Sequence, residues 1–459
     1  MVPENPVAKP TSILLSAFLF TVIFAFPAAT EPPAQPRQVT VGECIKIAEQ
    51  NHPEIKAAYE NQNAAVASWR ITQAGNSVLV DASMKTVEYL NTDRSPGQVN
   101  IPGKDTTIGL FAGLGATYNL YDPRISSAVD SARLQVDMAK INTFIVKNRI
   151  MLNVKKAYYG YGLARESALF REKLMKKFQE KLAKTRILHR IGQRSALDVS
   201  KSELEVESSK LDYERSRNSE TSMRTNLLIA MGILDDNIEF SPVIMQEFPE
   251  IRFTINELYN LAQANSVEMR SAVMKKELGK LNIAMQKSSR YPRVDVQAAF
   301  GFENRNVQDR AGLEEGARGN NWDPTFHAGF TASVPIYSGG AISGRVDRAM
   351  AEYNTTLYDE KKLHLTVKSA IRANYHFMIE LTKQVSMSKL MVGNAEKHMT
   401  LTQRYYESGV STQLDVRDAE LSLLNSQLAS VKAQYDYMTT LAELSHIVGV
   451  KEEFLCKRN

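Results

Sequence analysis

Gly192-Gln193-Arg194-Ser195-Ala196-Leu197-Asp198-Val199 returns 217 residues later as Gly409-Val410-Ser411-Thr412-Gln413-Leu414-Asp415-Val416. This recurrence decides how the sequence is read. Glu203-Leu204 and Met231-Gly232 recur at the same offset as Glu420-Leu421 and Val448-Gly449. Upstream, Tyr121, Ala157 and Tyr159 match Tyr337, Ala373 and Tyr375 at an offset of 216. Thr40-Val41-Gly42-Glu43, Asn51 and Glu54 match Thr254-Ile255-Asn256-Glu257, Asn265 and Glu268 at 214. So long a period does not describe a solenoid, whose units are about 20 to 50 residues. The chain is one half written twice, over about 31–253 and 254–459.

Both halves keep one order. A helical segment (about 39–75, then 255–290) precedes two strand-like segments joined by a polar loop (77–121, then 293–337). Ser77–Tyr89 and Thr331–Tyr337 alternate small, polar and aromatic residues, and Asn91–Asp105 and Asn304–Asp323 hold the Gly, Pro, Asn and Asp of hairpin connections. The period then lengthens to 3.5. Ile150, Val154, Ala157, Tyr161, Ala164 and Ala168 form one such seam, and Leu421, Leu424, Leu428, Val431, Tyr435 and Met438 another. These are coiled-coil stripes, placing long helices over about 125–231 and 341–448. No Pro falls between Ile125 and Arg190, so a single helix of ~100 Å is expected there at 1.5 Å per residue. Glu207, Glu214, Asn218 and Thr221 stand where the second copy has Leu424, Val431, Tyr435 and Met438, so the first return helix is expected to face water or a wet channel.

Composition narrows the function. The 459 residues are 43% hydrophobic, which excludes a disordered chain. A net charge of +5, with both signs interspersed, gives no basic face for nucleic acid. Two cysteines, Cys44 and Cys456, exclude a disulfide scaffold, and free thiols are expected. Residues Ile13–Phe26 followed by Ala28-Ala29 have the form of a secretory signal, placed at 1–30. Later segments lack the run of about 18 apolar residues that a spanning helix needs. The seven His show no paired metal spacing, no nucleophile stands with a base, and Gly339–Arg345 lacks the Lys-Ser/Thr of a phosphate loop. No enzyme, cofactor or metal site is therefore assigned. Four strands cannot close a barrel, and three chains would supply twelve. Tyr89, Phe111, Tyr118, Tyr121, Phe300, Phe302, Phe326, Phe330 and Tyr337 suit an interfacial aromatic girdle.

The duplicated strand–strand–long-helix order, with the run Tyr406-Glu407-Ser408-Gly409-Val410-Ser411-Thr412-Gln413-Leu414-Asp415-Val416-Arg417-Asp418-Ala419, resembles the TolC-like outer-membrane efflux family, the outer membrane factors. The resemblance covers about residues 38–450. It implies a mainly α fold with membrane β, in which a homotrimer forms a twelve-stranded outer-membrane barrel above an α-helical periplasmic barrel. It further implies a passive exit duct for efflux or type I secretion, opened by a periplasmic adaptor (membrane fusion protein) and an inner-membrane transporter. Positions matching Asp415 and Asp418 ring the periplasmic aperture in that family, and Asp198 and Tyr406 match its gate contacts. The family's Arg two residues after the second Gly is absent, since Ser411 stands there; Arg194, its counterpart in the first half, is the candidate substitute. Gly192 and Gly409 are the expected adaptor-contacting tips. The competing expectation is an exported coiled-coil structural or adaptor protein without a barrel.

Overall fold

The computed structural model describes residues 38–90, 106–234, 238–241, 248–306 and 322–456. The N-terminal apolar run, and with it the expected signal, lies outside the described residues. Each half runs in the same order. The first holds β1 (Gln38–Val39), α1 (Val41–Asn51), α2 (Pro53–Ala74), β2 (Leu79–Leu90), β3 (Thr106–Tyr121), α3 (Pro123–Arg190) and α4 (Ala196–Met231). The second holds β4 (Glu239–Phe240), α5 (Ile255–Asn265), α6 (Val267–Ser288), β5 (Arg293–Asn306), β6 (Trp322–Ser333), α7 (Ala341–Glu407) and α8 (Gln413–Val448), and closes with α9 (Glu452–Leu455).

The long helices α3 and α7 run 68 and 67 residues without interruption, about 100 Å each. α3 starts two residues before the position expected for it. Pro123 occupies its first turn, where the missing N–H costs nothing, and the Asp122 side chain accepts from the Arg124 backbone. The Ile150, Val154, Tyr161 and Ala168 stripe is buried, as are Leu424, Tyr435 and Met438. On α4 the polar residues Glu207, Glu214, Asn218 and Thr221 are all exposed. Its buried line begins with Ser202, Val206, Ser209 and Ser216, small residues that let it lie close against α3, and ends in Leu227, Leu228 and Met231.

The helices expected as single segments over 39–75 and 255–290 are each broken once. At His52 the cause is local: the following Pro53 disfavours helical backbone, and His52 takes φ −64°, ψ 124°. Ser266 takes nearly the same angles, −63° and 127°, with no proline after it. There the break is imposed by packing. The last residue of the hairpin, Gly449 at φ +76°, presses against it so closely that a Cβ would sit 2.7 Å from the Asn265 carbonyl oxygen. Gly232 at φ +74° makes the equivalent contact, with a Cβ 2.7 Å from the His52 Cα. Each hairpin is thus locked to its own broken helix by a glycine.

The strands form one antiparallel sheet in the order β2-β3-β5-β6, and β3–β5 pairing joins the two halves. Alternation divides its faces. Val80, Met84, Leu114, Tyr118, Val296, Phe300, Phe302, Phe326 and Phe330 share one face and are exposed. Asp81, Ser83, Lys85, Thr117, Gln297, His327 and Thr331 share the other. Two expectations are corrected here. β6 stops at Ser333, because Pro335 has no N–H to continue the ladder, so Tyr337 lies beyond the sheet. Phe111 falls in register between Lys85 and Glu303 on the polar face, not with the other aromatics. The Tyr89 side chain lies outside the described residues.

A belt closes the middle of the molecule. β1 pairs with β4 in parallel, Tyr158 and Tyr161 pack edge-on against Phe240, and Ile251 bridges Cys456. The Tyr437 hydroxyl donates to the Pro249 carbonyl at 2.6 Å. Cys44 and Cys456 are both buried and free.

Gly232→Ala and Gly449→Ala should each destabilise the protein by about 2–4 kcal/mol, summing a forced left-handed backbone and an overpacked contact. Gly192→Ala, at φ +76° with open space where its Cβ would go, should cost only the backbone part, about 1–2 kcal/mol. Denaturant unfolding followed by circular dichroism distinguishes the two classes.

Candidate functional site at the hairpin ends

The turns between α3 and α4 and between α7 and α8 are built alike. In each, a glycine in the left-handed region (Gly192, φ +76°; Gly409, φ +79°) ends the long helix, and a capping box starts the return helix. In the first, Ser195 and Asp198 satisfy each other's backbone N–H, at 3.2 Å in both directions. In the second, Thr412 and Asp415 do so at 2.7 and 3.3 Å. The Leu-Asp-Val signature therefore has a local cause: its Asp is the third residue of a helix and reaches back to close the N-terminus.

That task fixes the electrostatics. The Ser195 hydroxyl and backbone N–H hold the Asp198 carboxyl below its ordinary range. The Thr412 backbone and hydroxyl, with the Ser411 hydroxyl at 2.9 Å, do the same for Asp415. Both acids stay ionised further into acid than a free carboxylate. Any stability they add is present above the ordinary carboxyl pKa and lost as pH falls through the lowered one. Asp418 is exposed and takes a hydrogen bond from the Arg417 guanidinium at 3.2 Å on its own helix.

The two hairpin ends lie side by side, with a groove of about 780 Å³ between them. Arg171, Leu174, Phe178 and Glu205 line one wall, and Gln413, Leu414, Arg417 and Leu421 the other. Arg194 spans the groove. Its Nη2 donates to the Tyr406 hydroxyl at 2.7 Å, and its guanidinium carbon lies 5.3 Å from the Tyr406 ring centre. The His189 ring sits 2.8 Å from the Arg194 carbonyl and steadies the turn. Gln413 Nε2 donates across the same groove to the Ser202 hydroxyl at 3.0 Å.

Of the residues singled out in the sequence, Arg194 and Tyr406 are bonded to each other. Asp198 lies at the groove with both, but its carboxylate is committed to Ser195. Asp415 and Asp418 share a face; Asp415 is bonded to Thr412 at the turn and Asp418 to Arg417 on α8. Two further participants had no sequence signal. Gln413–Ser202 joins residues 211 apart by a side-chain contact alone. Glu420 is buried with one carboxylate oxygen unpartnered among the described residues, at a position where the first half carries Glu203 in an exposed ion pair with Arg186.

Comparison with known proteins places this architecture. TolC of Vibrio cholerae is 20% identical over 416 residues, 90% of this chain and 91% of that protein. The alkaline protease secretion protein AprF of Pseudomonas aeruginosa is 25% identical over 195 residues, 42% of this chain and 39% of that one. The crystal structure of the Campylobacter jejuni CmeC outer membrane channel shares the fold, with a TM-score of 0.75 at 15% identity over 89% of this chain and 85% of that one. The sequence profile of the outer membrane efflux protein family matches residues 44–232 and 258–450, one match per half. Two matches in register with the two copies cover most of the chain, and the protein belongs to the outer membrane efflux protein family.

Proposed function

We propose that the chain is the protomer of a homotrimeric channel-tunnel, the passive outer-membrane exit duct of a tripartite efflux or type I secretion system. One observation carries this reading. The four-stranded sheet has an exposed apolar face, a polar opposite face, and edge strands β2 and β6 without partners among the described residues. In water such a sheet exposes both a sticky edge and a greasy surface; in lipid, open edges leave backbone groups unsatisfied. Cyclic closure removes both problems. β3–β5 pairing already joins the two halves, and the repeat makes β6 pairing with β2 of a second copy its equivalent. Three copies give twelve strands, with the apolar face toward lipid and the polar face lining the lumen.

The helices support the same ring. α3 packs on α6 and α8 of the other half. The corresponding surface of α7 is left open, with Leu365, Met387 and Leu390 at 71, 60 and 65% exposure, and a second copy's α2 and α4 would cover it. The hairpins then descend into the periplasm as an α-helical barrel. Their ends form its entrance, where Asp415 and Asp418 of three chains supply six carboxylates that favour cations. The Gly192 and Gly409 turns form the tips that meet a periplasmic adaptor and, through it, an inner-membrane transporter. Arg194 and Tyr406 latch the two tips of one protomer, the role left vacant by Ser411, while Asp198 holds the Arg194 turn in shape. An exported coiled-coil protein without a barrel would have no use for the amphipathic sheet.

The protein should fractionate with outer membranes as a heat-modifiable trimer on SDS gels. Phe300→Arg, on the apolar face, should cost about 2–4 kcal/mol per protomer near mid-membrane and reduce the trimer strongly, whereas Thr117→Arg, on the polar face, should leave it intact. Equal effects of the two substitutions, or a soluble periplasmic monomer, would overturn the barrel. For the latch, Arg194→Ala and Tyr406→Phe each remove the 2.7 Å bond and should raise single-channel conductance in planar bilayers. Unchanged conductance in both variants would remove Arg194 and Tyr406 from the gate.

A further inference from the structure

Above the entrance groove, α8 packs against the first hairpin through a cluster of charged groups that the turn contacts do not involve. Glu420 of α8 is 9% exposed, and its Oε2 is buried without a hydrogen-bond partner among the described residues. It faces a cavity of about 130 Å³ shared with Phe170, Lys173, Leu174 and Lys177 of α3. Beside it, Lys181 of α3 pairs with Glu205 of α4 at 3.1 Å, and its ammonium lies 5.7 Å from the Phe178 ring centre. Two carboxylates on two helices thus stand near one partly buried ammonium, and the geometry gives that ammonium to Glu205. At the matching end of α7, Glu396, Lys397, His398 and Arg404 are all exposed, and the α7 residue buried there is Thr402.

We infer that Glu420 is a proton-sensitive wedge between the two hairpins: it keeps its proton further toward alkaline pH when α8 is packed on α3 and α4 than when the hairpins part. An ionised carboxylate in this place has no hydrogen bond to its buried Oε2 among the described residues and sits beside Glu205, although Lys173, Lys177 and Gln427 line the same cavity, so it must draw Lys181 away from Glu205, recruit one of those donors, or admit water. Each response loosens the seam. A protonated Glu420 is a neutral group that the apolar wall of Leu174, Leu423 and Leu424 accommodates. Burial accordingly holds its carboxyl above the ordinary range, with Lys181 and Lys177 pulling it down and Glu205 pushing it up.

The direction follows from linkage. The packed arrangement holds the proton more tightly than the parted one, so acid favours packing. The penalty on packing grows as pH rises past the ordinary carboxyl range and levels off above the raised one. This is opposite to Asp198 and Asp415, whose lowered pKa values favour the capped turns as pH rises. The packing argument stands on the single chain; only its consequence, an entrance that loosens toward alkaline pH, rests on the channel reading.

The test uses the full-length protein in detergent. Hydrogen exchange of peptides spanning 191–200 and 408–418, corrected for intrinsic rates, is followed between about pH 5 and about pH 8. The wild type should lose roughly tenfold in protection across this range, and Glu420→Gln should keep the acid level throughout. Lys177→Met, which removes one cation that favours ionised Glu420, should move the loss of protection to higher pH. A Glu420→Gln profile that follows the wild type would overturn the inference. Should Glu420→Gln fail to fold, an unmoved Lys177→Met midpoint would overturn it instead. Bilayer conductance recorded over the same pH range separates the two readings. A Glu420-dependent exchange profile with no channel in any variant would sink the channel reading and leave the wedge standing.

Discussion

Backbone pairing between β3 and β5 is the contact on which the rest of the molecule depends. It joins two copies of one half at the level of main-chain hydrogen bonds, and so sets the geometry of everything that hangs from the sheet. α3 follows directly from β3, with Asp122 capping it and pairing with Arg124 at the corner. Asn119 of β3 donates to the Gly75 carbonyl at the end of α2, so strand and helix are tied at the same level. Once β3 and β5 are in register, α3 has no choice but to lie against α6 and α8 of the other half. The same pairing leaves β2 and β6 as edges, and an edge is an unfinished structure.

Length converts that junction into action at a distance. Helices of 68 and 67 residues carry the consequences of the sheet about 100 Å to the turns. Such helices are held by narrow seams, and the seam composition differs between hairpins. α8 buries large residues over its second half, Tyr435, Tyr437, Met438, Leu441 and Leu444, where the belt is densest. α4 buries the small residues Ser202, Ser209 and Ser216 toward its turn and Leu227, Leu228 and Met231 only at its far end. Toward the turns the packing thins: Leu421, in the same stripe as Leu424, is 38% exposed and opens onto the groove. Polar contacts replace apolar burial there, and polar contacts between hairpins are the kind that can be exchanged at modest cost. The molecule is thus packed through apolar side chains at the belt and tied through polar contacts at its hairpin ends.

Charge at the ends serves two opposed purposes. Asp198 and Asp415 are committed to capping, a local task that keeps them ionised. Glu420, a little further along α8, buries its Oε2 without a hydrogen-bond partner among the described residues. Carboxyl groups within one region are therefore shifted in opposite directions, because hydrogen bonds hold the first kind down and burial holds the second up.

Much of this was legible in the linear sequence. The duplication, the order of elements, the long breaker-free helices and the glycine turns all rest on local signals: period 2, period 3.5, and residues that permit a left-handed backbone. Local signals fail where a distant segment decides. His52 breaks its helix because Pro53 follows, and a closer reading of that dipeptide finds it; Ser266 breaks its helix because Gly449 packs there, and no neighbouring residue announces it. Phe111 looks like every other strand aromatic until register assigns it to the polar face. Asp198 and Asp415 were visible as site residues from their motif, but their commitment to capping follows from three-residue geometry. The sequence by itself determined which elements exist and that they occur twice, since those depend on contacts a few residues apart. Only the tertiary structure decided that Arg194 meets Tyr406, that Gln413 meets Ser202, and that the buried Oε2 of Glu420 has no partner among the described residues, because each joins or isolates groups on helices brought together by packing far away.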